Sequence, residues 1–176
     1  MLDFASNHFE LFGLPARYAI DAAALDAAYR SLQRRVHPDR HAASDDASRR
    51  LALQAAARVN EAYRTLGDPV ERARYLLSLR GVEAFDETDT ALDPDFLERQ
   101  LERRERAASA ADARDEVALE ALLDEVRSEA AGMQSALGRL LDAPAPASGA
   151  RERVRELRFL DKLAADVDEM LARATS

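Results

Sequence analysis

The chain contains no cysteine. That absence excludes disulfide bonds, thiolate catalysis and zinc or iron–sulfur sites that use cysteine ligands. Glycine and proline are also scarce, with six of each in 176 residues, and valine and isoleucine are few beside alanine. Because alanine favours helices whereas β-branched residues favour strands, the composition predicts an all-α protein.

Long apolar runs are missing too. No run approaches the roughly 20 residues that a membrane-spanning helix needs, and the first stretch, MLDFASNHFELFGL, lacks the basic start and apolar segment of a secretory signal. We therefore expect a cytoplasmic protein with no membrane partner. The net charge is −8, whereas phosphate binding requires a basic face, so no nucleic-acid partner is expected.

Helix-start and helix-stop signals divide the chain into two groups of helices. Four helical segments are predicted before residue 82: a short turn from Ser6 to Gly13, a helix from Asp21 to the residue before Pro38, one over about 47–66, and one from Asp68 to Gly81. An acidic stretch without helical periodicity follows at 82–93, and three helices are predicted after it, over about 94–108, 112–142 and 150–173. The expected domains are 1–81 and 94–176, joined by a linker at 82–93.

Apolar spacing within these segments predicts which side chains are buried. The third and fourth segments are expected to bury Leu51, Ala55, Val59, Ala62, Tyr63 and Leu66, and Ala73, Leu76, Leu77 and Leu79. The second and third segments should pack as an antiparallel hairpin. In the segment from 94, Phe96 points away from Leu97 and Leu101, so either the leucines or Phe96 could face the core. Phe159 lies about 100° from the apolar stripe of the last segment, which suggests an exposed or rim position.

The loop of the predicted hairpin carries the motif His37-Pro38-Asp39-Arg40-His41. His37 and Asp39 could act as a general base and its orienting carboxylate, but no nucleophile or substrate pocket accompanies them. A metal site would need His37, Asp39 and His41, yet alternating loop positions do not converge like histidines at i and i+4 of a helix. The tripeptide alone is compatible with a polar turn that ends a helix at Pro38. We expect neither catalytic residues, nor a metal, nor a cofactor.

Arginines surround this loop. The preceding segment carries Arg30, Arg34 and Arg35, and Arg40 follows, with only two acidic residues nearby. Such a stripe creates a local positive field that can steer an acidic protein partner. The alternative is a solvated arginine-rich helix face.

Taken together, these motifs resemble the J-domain of DnaJ-type co-chaperones. The matching stretches are HFELFGLP, YRSLQRRVHPDR and ARVNEAYRTLGDPVERARYLL, which span about residues 7–80. In that family the loop and the basic helix dock on a DnaK-type chaperone and stimulate its ATP hydrolysis. The resemblance implies that His37, Pro38 and Asp39 form the trigger. It also implies an electrostatic footprint made of Arg30, Arg34, Arg35 and Arg40, the last where the family commonly has lysine.

The rest of the chain resembles one branch of that family, the HscB co-chaperones of bacterial iron–sulfur cluster assembly. The segments LFGLPARY, DFLERQLERRE and RELRFLDKL carry this similarity. It implies an L-shaped protein whose C-terminal three-helix bundle binds the scaffold protein IscU and delivers it to the chaperone HscA. The positions that match the scaffold-binding surface are Leu97, Leu101, Glu102, Glu105 and Phe159. Glu98 departs from the expected apolar residue, and a J-domain adaptor for a different client remains the alternative.

Overall fold

The computed structural model describes residues 6–36, 45–85, 92–143 and 149–175. This part of the chain is all-α, as predicted. It contains seven helices and no strand: α1 (His8–Phe12), α2 (Ala22–Val36), α3 (Asp46–Gly67), α4 (Pro69–Leu79), α5 (Pro94–Asp112), α6 (Glu116–Leu141) and α7 (Ala150–Ala174). The chain divides into two compact units, residues 1–76 and 77–176, and the division in sequence falls within α4. The domain limits inferred from composition stay a prediction.

Helix α1 begins one residue later than predicted. Asn7, not Ser6, is the N-cap. Its side-chain Oδ1 accepts a hydrogen bond from the backbone N–H of Glu10 at 3.0 Å, and the Glu10 carboxylate accepts one from the backbone N–H of Asn7 at 2.8 Å. This reciprocal capping box requires the capping residue to lie three positions before a glutamate. Asn7 lies three positions before Glu10, whereas Ser6 does not. The helix stops at Gly13, whose φ of 66° is a conformation that glycine adopts without strain.

Two leucines that were expected in the N-terminal core are exposed. Leu51 is 51% exposed and Leu79 is 45% exposed, so both predictions were wrong. On α3 the buried face is centred on small side chains, such as Ala52 and Ala55, and Leu51 falls at its border. Leu79 is the last residue of α4, beyond the buried pair Leu76 and Leu77.

The C-terminal unit is held together by the faces that α6 and α7 share. Its buried apolar residues include Leu119, Leu122, Val126, Leu137, Leu157, Leu160, Leu163 and Val167. Helix α5 starts as predicted at Asp93, whose carboxylate accepts a hydrogen bond from the Phe96 amide at 2.9 Å, with Pro94 in the first turn. The segment after α4 is fixed to this unit, because Arg155 donates to the Ala84 carbonyl at 3.1 Å.

His8 attaches α1 to α4 within the N-terminal unit. Its ring stacks on that of Tyr75 with centroids 4.2 Å apart, and its backbone amide donates to the Tyr75 hydroxyl at 3.0 Å. Burial lowers the pKa of His8 below its ordinary 6.5; Glu61 opposes this shift and Arg58 adds to it. Folding therefore favours the neutral imidazole. The stabilisation is complete above the unfolded pKa and is lost as the pH falls from that value to the lower folded pKa.

We expect the N-terminal unit to become less stable as the pH falls below about 7 and through the lowered pKa of His8, and expect His8→Gln to remove part of that dependence. The four tyrosines of the chain all lie before residue 77 and there is no tryptophan. Urea unfolding followed by tyrosine fluorescence therefore reports this unit alone. An equal loss of stability on acidification in the wild-type and His8→Gln chains would contradict the role given to His8.

Candidate functional site

The first candidate site is built on the hairpin of α2 and α3. The Tyr29 hydroxyl donates to Asn60 at 3.0 Å, and the Tyr63 hydroxyl donates to Asp26 at 2.7 Å. The two tyrosine rings stack with centroids 4.0 Å apart. Since a higher number on α2 meets a lower number on α3, the helices are antiparallel, which confirms the predicted hairpin. The hydrogen bond to Asp26 raises the pKa of Tyr63. The same hydrogen bond occupies the carboxylate of Asp26, the acidic residue of α2.

The hairpin presents three of the predicted arginines to solvent. Arg30, Arg34 and Arg35 are all exposed, and the buried face of α2 is formed by Leu25, Leu32 and Val36. Arg34 and Arg35 lie in the last turn of the helix, where positive charge also complements the helix dipole. The basic stripe is thus an exposed surface beside the point where α2 ends.

The trigger residues His37, Pro38 and Asp39, together with Arg40, lie outside the described residues. Their role stays a prediction. The structure describes the residues on either side of this segment. Helix α2 ends at Val36, as the proline predicted, and α3 is capped by Asp45, whose carboxylate accepts a hydrogen bond from the Ser48 amide at 2.6 Å.

The second candidate site lies on α5, where the structure decides between the two orientations left open by the sequence. Phe96 is 2% exposed, whereas Leu97 is 43% exposed and Leu101 is 60% exposed. Phe96 therefore anchors the helix to the core and leaves both leucines in solvent. Exposed leucines on adjacent turns of one helix form an apolar surface patch.

The buried face of α5 contains a polar cluster that sequence reasoning missed. Arg103 is 8% exposed and its guanidinium contacts Glu125 at 2.9 Å, Glu129 at 2.6 Å and Gln100 at 3.3 Å. Burial alone would raise the pKa of Glu125, but hydrogen bonds from Arg103 and Arg106 outweigh it and lower that pKa. The available signal was spacing, because Gln100 and Arg103 share a helical face with Phe96.

Phe159 of α7 completes the apolar surface at its border. Its side chain is half-buried and meets Phe96 edge to face, with ring centroids 5.8 Å apart. The guanidinium of Arg104 lies 4.9 Å above the same ring. Glu102 and Glu105, which the resemblance assigns to this surface, are exposed. Glu98, which stands where an apolar residue was expected, is exposed too. We call Leu97, Leu101 and Phe159 the leucine patch.

Within the described ranges, no group of histidine, aspartate and glutamate side chains could hold a metal ion. No helix in those ranges is long and apolar enough to cross a membrane.

Comparison with known proteins matches both halves of the chain to family models. The DnaJ domain matches residues 7–75, and the HSCB C-terminal oligomerisation domain matches residues 92–168. Two curated relatives are the co-chaperone protein HscB homologs of Burkholderia multivorans and of Burkholderia pseudomallei. They are 51% and 49% identical to this chain over 173 residues, which is 98% of each chain compared.

Solved structures agree with these matches. The chaperone HscB of Vibrio cholerae superposes with a TM-score of 0.86 at 37% identity, over 96% of this chain and 99% of that one. The human co-chaperone protein HscB superposes with a TM-score of 0.87 at 26% identity, over 95% and 83% of the two chains.

Proposed function

Since the chain belongs to the HscB family of J-domain co-chaperones, which act in iron–sulfur cluster assembly, we propose that it has two partners. Its J-domain stimulates ATP hydrolysis by the DnaK-class chaperone HscA. Its C-terminal unit binds the IscU-type scaffold protein and delivers it to that chaperone. The observation that carries the proposal is that one chain has two such surfaces: the exposed basic stripe on α2, and the leucine patch on α5 and α7, whose two leucines are exposed.

The chaperone-binding half of the proposal rests on the α2–α3 hairpin. Exposed arginines steer association by long-range attraction, so an acidic surface on the chaperone is the expected counterpart. Arg30, Arg34 and Arg35 provide this attraction, and the loop of His37, Pro38 and Asp39 follows directly in the chain. Pro38 predicts that the helix ends there, and His37 and Asp39 are proposed to contact the chaperone and not to react themselves.

The scaffold-binding half rests on the leucine patch. Leu97 and Leu101 expose large apolar side chains. Phe159, whose ring packs against Phe96, contributes an aromatic group from α7. Such a group of aliphatic and aromatic side chains has the composition of an interface centre, which excludes water when a partner covers it. Glu102 and Glu105 add exposed negative charge to the same helix and would contribute to specificity.

Carrying both contacts on one chain gives the protein its proposed action. A scaffold protein held by the C-terminal unit is present near the chaperone at a high effective concentration, without any new contact between the two partners. The chain regulates the chaperone and has no active site of its own in this account. We infer that it works in the cytoplasm, together with both partners.

We expect the variant with Arg34→Glu and Arg35→Glu to lose most of the stimulation of chaperone ATP hydrolysis, by about tenfold at low salt. Reversing two charges of the stripe replaces attraction with repulsion, and both positions are exposed. The measurement is single-turnover hydrolysis by HscA at several co-chaperone concentrations.

A matched control is Arg139→Glu, an exposed arginine of α6 that lies in the other unit. Its stimulation should equal that of the wild-type chain. Equal stimulation by the stripe variant and the wild-type chain across salt concentrations would refute the assignment of the stripe.

A further inference from the structure

Arg104 is a basic side chain of the leucine patch that the family resemblance does not assign. It follows Leu101 by three residues and Leu97 by seven, so at about 100° per residue it lies within about 60° of both leucines on the α5 surface. Its guanidinium is 4.9 Å from the centroid of Phe159 on α7. Arg104 therefore occupies the border between the leucines of one helix and the aromatic ring of the other.

The guanidinium of Arg104 is held in place but not paired. Among the described residues it forms no ion pair, whereas Arg103 and Arg106 on the same helix both bind Glu125. A guanidinium placed over an aromatic face is already ordered, and its N–H donors remain directed outward. Such a group can bind a carboxylate through two parallel hydrogen bonds at a small additional entropic cost.

Charge is distributed unequally around the leucine patch. Arg104 lies on the side of the leucines that faces Phe159, and Lys162 of α7, three residues after Phe159, is exposed. The three glutamates of α5 lie on the other side, about 80–140° from Leu97 around the helix axis. They are Glu98, Glu102 and Glu105. A partner would therefore meet a basic border at Phe159 and an acidic border on the opposite side.

We propose that Arg104 is a contact residue of the scaffold-binding surface and that it binds a carboxylate, an aspartate or glutamate side chain, of the bound scaffold protein. The pair sets the orientation of the partner on the leucine patch, because only one orientation places an acidic side chain at the border formed by Phe159. This inference rests on the proposed function, since it assumes that the patch binds the scaffold protein.

The test measures the affinity of the full chain for purified IscU-type scaffold protein by isothermal titration calorimetry at several salt concentrations. Arg104→Gln is expected to weaken binding by about tenfold at low salt and to reduce the dependence of affinity on salt. Arg104→Lys keeps the charge but loses the planar group, so it should weaken binding by only about threefold. The matched control is Arg139→Gln, which removes the same charge elsewhere and should bind within about twofold of the wild-type chain.

Each result separates this inference from the proposed function on which it rests. If the wild-type chain binds but Arg104→Gln binds as tightly as Arg139→Gln, the carboxylate contact is refuted and the leucine patch is not. Weaker binding by Arg104→Gln with an unchanged salt dependence also refutes it, because Arg104 would then act only by packing on Phe159. If the wild-type chain does not bind, both ideas fall. Helix content by circular dichroism should be the same in all four chains.

Discussion

Replacing Leu97 and Leu101 together with serine is expected to weaken binding of the scaffold protein by about 10- to 100-fold. Complete burial of a leucine stabilises by about 1.5–3 kcal/mol. These side chains are 43% and 60% exposed, so a partner can still bury about half of each. The combined loss is then about 1.5–3 kcal/mol, which corresponds to a change of about 10- to 100-fold in the dissociation constant.

The same double replacement should leave the C-terminal unit folded, because the core contact of α5 is made by Phe96 and not by the leucines. A matched control is Val117→Ser, which removes an apolar side chain that is 76% exposed on α6, away from the leucine patch. It should bind the scaffold protein as the wild-type chain does. Binding of the double variant within about threefold of the control would contradict the assignment of the patch.

Replacing Asp39 with asparagine is expected to bring the stimulation of chaperone ATP hydrolysis close to the unstimulated rate. The amide keeps the shape of the side chain but cannot form the charge-assisted hydrogen bonds of a carboxylate. Affinity for the scaffold protein should stay within about twofold, since the leucine patch belongs to the other unit. This single replacement would thereby distinguish stimulation of the chaperone from binding of the scaffold protein.

A control for Asp39→Asn is Asp46→Asn, which makes the same chemical change at the first residue of α3. Asp46 is exposed and forms an ion pair with Arg49 on the same helix, a contact of small energetic value. This variant should stimulate hydrolysis nearly as well as the wild-type chain. Stimulation by Asp39→Asn at the wild-type level, in the same assay, would refute the assigned trigger.

Helix boundaries were largely predictable from sequence because they depend on local chemistry. Asp21 caps α2 by accepting hydrogen bonds from the backbone amides of Ala23 and Ala24. Pro38 predicts that this helix ends before it, and α2 ends at Val36. Each signal acts within a few residues of its source, so no knowledge of tertiary packing is needed to interpret it.

Burial was less predictable because it depends on which face a neighbouring helix covers. Leu51 satisfies helical spacing as well as its neighbour does, yet the alanine at 52 faces the core. On α5 the difficulty was larger, since Gln100 and Arg103 are buried while two leucines are exposed. The acceptors that make this possible, Glu125 and Glu129, lie on another helix more than twenty positions away. A buried arginine needs such partners, and spacing within one helix does not reveal them.

The measurement that tests the account most directly is single-turnover ATP hydrolysis by HscA with the chain alone, with the IscU-type scaffold protein alone, and with both. If one chain brings both partners together, the increase in rate with both proteins exceeds the sum of the two separate increases. The excess should disappear when Leu97 and Leu101 are replaced with serine, while stimulation by the chain alone persists. Increases that simply add, or an excess that survives this replacement, would contradict the account.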